Sequence, residues 1–424
     1  MADDADIVTL PGGLRLITTV VPTAQSVASA LYVRVGSRDE NPRINGLSHY
    51  IEHMLFKGTE GRPTAPEISE AIEGAGGGLN AFTTKEMTCF WNNLPFERVD
   101  RGLEVLGDMV QHSLLAAEEI ERERTVVQQE IRRAHDQPGS YVGELLSKVT
   151  WGDQPIGWPI AGSIETVGAM QRDDFIAHMD AFYTASNCVL SVAGNIDVTQ
   201  VREIAAREFA ALPSGQAPPQ ADARATRPEE YIAIEERELE QTNLALSAPG
   251  LPRRDPDRFA LDIMNTALGR GMSSRLFQEV RERRGLAYSV SSGATRHRDV
   301  GSVSVSAGVT RAHQEEALQV IIAELARIAD EAMSDEELER TKEFSVGSFR
   351  LSLETPMALG QRRGAQLLLD GEIEPPEVTV AGLRAVTVED VQRVARRVFG
   401  GRRHSLAVVG PSANADRLDA ILHG

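Results

Sequence analysis

The chain has 424 residues with 42% hydrophobic and 25% charged side chains, the balance of a water-soluble globular protein and too long for one ordinary domain. Its net charge of −18 argues against nucleic acid and anionic membrane surfaces as partners. No apolar run approaches the roughly 18 residues needed to span a bilayer.

The N-terminal stretch Met1-Ala2-Asp3-Asp4-Ala5-Asp6 is acidic and lacks the shape of a secretion signal. The two cysteines, Cys89 and Cys188, sit in apolar, strand-like runs and read as buried free thiols in a reducing compartment. Both features lead us to expect a cytoplasmic protein.

The first chemistry-bearing segment is His49-Tyr50-Ile51-Glu52-His53, which follows the turn-like Asn45-Gly46. Histidines four apart lie one turn above each other on a helix, so both reach one metal ion. The H-x-x-E-H order inverts the commoner zinc-protease motif. A polar face on a packed helix explains a lone pair of histidines equally well. The run continues into Met54-Leu55-Phe56, however, and buried imidazoles are costly unless paired or metal-bound.

Gly74-Ala75-Gly76-Gly77-Gly78 lacks the lysine and hydroxyl residue of a phosphate loop. It reads as a turn into a strand from Leu79 to Thr84. Glu118 to Ala134 reads as a charged helix with an apolar stripe at Ile120, Val127 and Ile131. Its periodicity alone suits a solvated helix held by pairs such as Glu118–Arg122. It also places Glu123 and Glu130 two turns apart on one face. One of them is a candidate third metal ligand and the other its support.

The segment from Leu212 to Gln220 is rich in proline and small residues and reads as an extended connector. We therefore expect domains over 1–212 and 229–424, joined by a linker over 213–228. The halves repeat each other. Phe175 to Gly194 and Val391 to Gly410 both read as helix then strand, 216 residues apart. The acidic helix near Ile120 has its counterpart near Leu338, at an offset of 218. The second-half counterpart of the histidine segment, Phe259 to Gly271, holds no histidine, and Ser348 stands opposite Glu130. Charge is uneven too: −13 over 1–212 and −5 over 213–424. Further on, Arg281 to Tyr288 reads as a basic helix end stopped by Gly285 before a strand, with Arg283 and Arg284 as rivals to Arg281 for any binding role.

The H-x-x-E-H order and a glutamate 77 positions after the second histidine, with flanks Gly46 to Thr59 and Gly77 to Thr83, resemble the pitrilysin family of zinc peptidases (peptidase family M16). The chain looks like a short, two-domain bacterial-type member, similar to mitochondrial processing peptidases. The resemblance implies an α+β fold of two homologous α/β-roll domains, each a mostly antiparallel mixed sheet packed with helices. It implies one Zn2+ per chain on His49, His53 and Glu130, with Glu52 as general base and Glu123 supporting the ligands. It implies substrate contacts from Arg281 and Tyr288, the latter stabilising the oxyanion, and a peptide lying along the strand at Asn80, Ala81 and Phe82. Glu86 is expected to add a polar contact. Peptides or unfolded segments would be cut inside a closed chamber, formed by a homodimer in which each subunit lends Arg281 and Tyr288 to the other. The alternatives are a maturation protease with a dedicated partner subunit, or a non-catalytic structural relative.

Overall fold

The computed structural model describes residues 5–225, 228–401, 403–411 and 414–423. Most of the acidic start and residues 226–227 of the expected linker lie outside them. In chain order the elements are β1 (Ala5–Thr9), β2 (Arg15–Val20), β3 (Ser26–Val33), α1 (Leu47–Met54), α2 (Ala65–Glu73), β4 (Gly78–Thr83), β5 (Thr88–Pro95), α3 (Val99–Gln111), α4 (Ala117–His135) and α5 (Pro138–Trp151). They continue with α6 (Ile164–Ala169), α7 (Arg172–Phe182), β6 (Cys188–Gly194), α8 (Val198–Glu208), β7 (Ile232–Glu236), β8 (Gln241–Pro249) and α9 (Arg258–Gly269). After a π-helical turn at Phe277–Glu282 come β9 (Ala287–Arg296), β10 (Gly301–Thr310), α10 (Gln314–Asp330), α11 (Asp335–Leu351) and α12 (Pro356–Asp370). The chain ends with α13 (Pro376–Ala385), α14 (Val388–Phe399), β11 (Ser405–Gly410) and α15 (Ala415–His423).

These elements form two compact units, each built on one mixed sheet. The first sheet has the order β1-β2-β6-β3-β5-β4, with β2 and β6 parallel and the other pairs antiparallel. The second has the order β7-β11-β8-β10-β9, with β7 and β11 parallel and the rest antiparallel. Counted from the edge strands β4 and β9, strands β6 and β11 hold the same place in the two orders. They are also the strands found at an offset of 216 in the sequence.

The expected cut at 213–228 follows the chain, whereas the units interleave. The first consists of residues 1–131, 159–221 and 350–375; the second of 132–158, 222–349 and 376–424. The helices crossing over are α5 and α12, both starting with proline at their first turn and 218 residues apart. Each covers one face of the other half's sheet. In the first unit Leu367 and Leu368 of α12 pack on Ile17, Tyr32 and Val189. In the second, Val142, Leu146 and Val149 of α5 pack on Ala245, Ala407 and Val409. The opposite sheet faces carry the larger cores. Coverage on both sides explains why β6 and β11 are buried along their whole lengths and read as continuous apolar runs.

The connector from Leu212 to Gln220 carries no helix or strand, as expected of its composition, but it is fastened down. In the first unit the Ala185 amide donates to the Pro213 carbonyl, and Gln220 bonds both Arg34 and Asp39. Both cysteines are free and buried. Among the described residues no helix is long and apolar enough to cross a membrane.

Candidate metal centre

The site is built on α1 and α4, within the first unit. Helix α1 buries Leu47, Tyr50, Ile51 and Met54 in the core, which turns His49, Glu52 and His53 to its more polar side. Tyr50 ties the helix to its neighbours: its hydroxyl donates to the Ile120 carbonyl of α4, and its ring stands edge-on to Phe175 of α7 at 4.8 Å. On α4, Ile120, Val127 and Ile131 are buried as the apolar stripe requires, and the same helix face carries Glu123 inward. The expected pair Glu118–Arg122 is replaced by Glu119–Arg122, one residue closer.

His49, His53 and Glu130 offer ligand atoms that all lie within 4.8 Å of one another. Glu130 Oε2 is 3.8 Å from His49 Nε2 and 3.4 Å from His53 Nε2. Three donors at about 2.0–2.2 Å from one tetrahedral ion stand roughly 3.3–3.6 Å apart, so this looser cluster has the donor set for zinc and would have to draw together to hold it. Burial, then the neighbouring His53, pushes the His49 pKa down to about 4, keeping its ring in the neutral form that binds metals. Its Nδ1 is buried without a hydrogen-bond partner.

His53 is held differently. Its Nδ1 lies 2.8 Å from Glu123 Oε1, which makes Nδ1 the protonated nitrogen and leaves Nε2 facing Glu130. Burial alone would lower the His53 pKa, but the bonds to Glu123 and Glu130 outweigh it and raise it to about 9. The arrangement that favours a second proton here favours a cation between the same groups. Glu123 is pushed up by burial and pulled down further by His53 and Lys57, ending below the usual carboxylate range. Lys57 Nζ sits 2.6 Å from Glu123 Oε2. Lysine, glutamate and histidine therefore form one chain that aims the His53 ring.

Glu52 accepts a hydrogen bond of 2.6 Å from Thr83 Oγ1, at the end of β4. Burial raises its pKa, and the Thr83 bond only partly opposes this. Strand β4 lies at one edge of the sheet and, among the described residues, pairs with β5 alone, leaving its outer backbone edge open. Asn80 is exposed there and folds its side-chain oxygen onto the Ala81 amide. Leu79 and Ala81 pack toward the larger core, and Phe82 packs toward the α12 face. Glu86 is not an open polar contact: it is 4% exposed and bound to the buried Arg38 guanidinium at 2.7 Å. It turns inward because a buried guanidinium needs that charge.

In the second unit Arg281 lies in the last turn of the π-helical stretch Phe277–Glu282. Its guanidinium lies 4.9 Å from the Phe277 ring centroid and 5.4 Å from that of Tyr288. Tyr288 is 76% exposed. The rivals Arg283 and Arg284 are both drawn to the carboxylate of the buried Glu279, whereas Arg281 stacks on aromatic rings. Helix α9 carries no histidine, and Ser348 lies on α11 where Glu130 lies on α4. Lys57, Thr83 and the buried Glu40 are the polar residues that sequence reasoning passed over. Lys57 carried a signal, being four residues beyond His53.

A mixed sheet bearing an inverted histidine–glutamate helix and a glutamate on a second helix defines a metallopeptidase-like class of protein. Residues 15–163 match the family profile described as Insulinase (Peptidase family M16), and residues 169–344 match Peptidase M16 inactive domain. A protein of Streptomyces coelicolor called an uncharacterized zinc protease is 39% identical over 97% of this chain and 92% of its own length. The Bacillus subtilis uncharacterized zinc protease YmxG is 37% identical over 96% of this chain and 98% of its own. The crystal structure of a protease from Helicobacter pylori superposes with a TM-score of 0.89 at 22% identity, covering 96% of this chain and 99% of that one. The chain belongs to peptidase family M16.

Proposed function

We propose that the chain is a zinc-dependent endopeptidase with one Zn2+ per chain on His49, His53 and Glu130. The convergence of those three donors carries the reading, and the naming of its relatives as zinc proteases supports it. When bound, the ion polarises the scissile carbonyl and acidifies the attacking water to a pKa of roughly 7. Glu52 takes the proton from that water and hands it to the leaving amine. Thr83 holds Oε2 of Glu52 and leaves Oε1 for the proton. The raised pKa of Glu52 strengthens it as a base.

The substrate is a peptide or unfolded segment lying in extended form along β4, beside Asn80, Ala81 and Phe82. Arg281 holds a substrate carbonyl, and Tyr288 donates to the oxyanion that forms at the cleaved bond. We take both from a second copy of the chain, so that a homodimer encloses the chamber. Hydrolysis of unrelated peptides by the purified chain, lost on chelation and restored by zinc, tests this reading. Activity that appears only with a second, different subunit would favour a dedicated maturation protease. Activity that survives complete chelation would reject the metal.

A further inference from the structure

Helix α1 begins without the cap that a helix ordinarily supplies for itself. The first four amides of any helix lack internal partners, and a serine, threonine, aspartate or asparagine at the N-cap usually satisfies one of them. Here the N-cap is Gly46, at φ +101°. No side chain fits: a Cβ at this position would meet the Ala161 carbonyl oxygen at 2.5 Å and its carbon at 2.8 Å. The cap comes from six residues upstream. Glu40 is 4% exposed. Its Oε2 accepts from the Gly46 amide at 2.7 Å and from Asn45 Nδ2 at 3.0 Å, and its Oε1 accepts from the Ser48 amide at 2.7 Å.

Each oxygen faces a donor, so the carboxylate fits and an amide does not. The next residue after Ser48 is His49. The Ser48 hydroxyl also lies 3.3 Å from Nε2 of the buried His178 on α7. Asn45 is held in turn by the Pro159 carbonyl and by the Thr166 hydroxyl. Among these bonds, one buried carboxylate alone takes both the Gly46 and the Ser48 amides of the turn that presents His49, and a rotation of that turn moves His49 Nε2 relative to His53 and Glu130.

We propose that Glu40 is the positioning residue of the metal helix: its carboxylate, through the Gly46 and Ser48 amides, sets where His49 presents its nitrogen. The proposal rests on the zinc reading of His49, His53 and Glu130. Glu40→Gln tests it, because glutamine must turn an NH2 group toward one of two amide donors. Three readouts separate the possibilities. In metal-free protein, amide hydrogen exchange over residues 46–48 rises in the variant if Glu40 caps the helix. Zinc affinity by chelator competition falls about 10–100-fold, the range for removing a group that orients a ligand. The electronic spectrum of the cobalt-substituted protein changes in position or intensity, which a loss of stability alone does not cause.

If Glu40→Gln fails to fold, Glu40→Asp keeps the charge but is too short to bridge both amides. It is expected to show the same spectral change with a smaller loss of affinity. Wild-type zinc affinity and cobalt spectrum in a folded variant whose 46–48 amides exchange faster would overturn the proposal. Failure of the unmodified protein to bind zinc or cobalt would overturn the metal reading beneath it.

Discussion

At the scale of single residues, the centre combines donors that differ in how firmly they are held. His53 is aimed by Glu123, which Lys57 secures from its other oxygen. Glu130 is half exposed and reaches both imidazoles from the far side of the cluster, at 3.8 and 3.4 Å. Removing the orienting carboxylate should therefore matter more than its distance from the ion suggests. Glu123→Ala is expected to fold and to bind zinc about 10–100-fold more weakly, read by chelator competition. Unchanged affinity would show that the His53 ring is fixed by something else. The sequence made His49, Glu52 and His53 legible because their spacing is a helical one, set by covalent chain geometry alone. Periodicity treats Glu123 and Glu130 alike, since both sit on one face of α4; the choice of Glu130 rests on the family resemblance and its spacing of 77 from His53. Glu86 misled because a carboxylate next to a strand looks available until the buried Arg38 that claims it is seen. Glu40 carried no signal, because its amide partners are brought to it by two successive tight turns, at Ser37–Asp39 and Pro42–Ile44.

At the scale of elements, the repeat was visible as paired helix–strand segments, and its offset pairs β6 with β11 and α7 with α14. The exchange of α5 and α12 was not visible. An amphipathic helix records that it has an apolar side, not which sheet that side covers. This has a direct consequence for dividing the chain. Residues 1–212 expressed alone lack α12 and leave Ile17, Tyr32 and Val189 uncovered on one sheet face. That fragment should bind hydrophobic dyes and unfold without a cooperative transition. Cooperative unfolding near the full chain's midpoint would contradict the role given to α12. A second test concerns the start of α1. Gly46→Ala forces a side chain into a left-handed conformation and against the Ala161 carbonyl. It should cost about 1–3 kcal/mol, seen as a lowered thermal midpoint, with zinc binding weakened alongside. A variant as stable as the parent would mean that the turn relaxes freely.

At the scale of the whole molecule, the first unit carries the cluster of His49, His53 and Glu130, and the second an arginine over the rings of Phe277 and Tyr288. The second unit repeats the strand order of the first without a counterpart of β1, and it has no histidine on α9 and a serine, Ser348, at the place of Glu130. If the chamber is a homodimer, the purified chain should sediment at twice its monomer mass, and full activity in a strictly monomeric fraction would exclude subunits lending Arg281 and Tyr288 to each other. Mixing inactive Glu52→Gln protein with an inactive Tyr288→Phe variant should then restore part of the activity, because one hybrid site has all its parts. In the proposed site His49, His53 and Glu130 hold zinc while Glu52 moves the proton. Zinc content and peptide hydrolysis measured together, for the native chain and for Glu52→Gln, test it most directly. One zinc per chain in both proteins and hydrolysis only in the native chain are expected; turnover retained by Glu52→Gln, or a native chain without zinc that still cleaves, would contradict these roles.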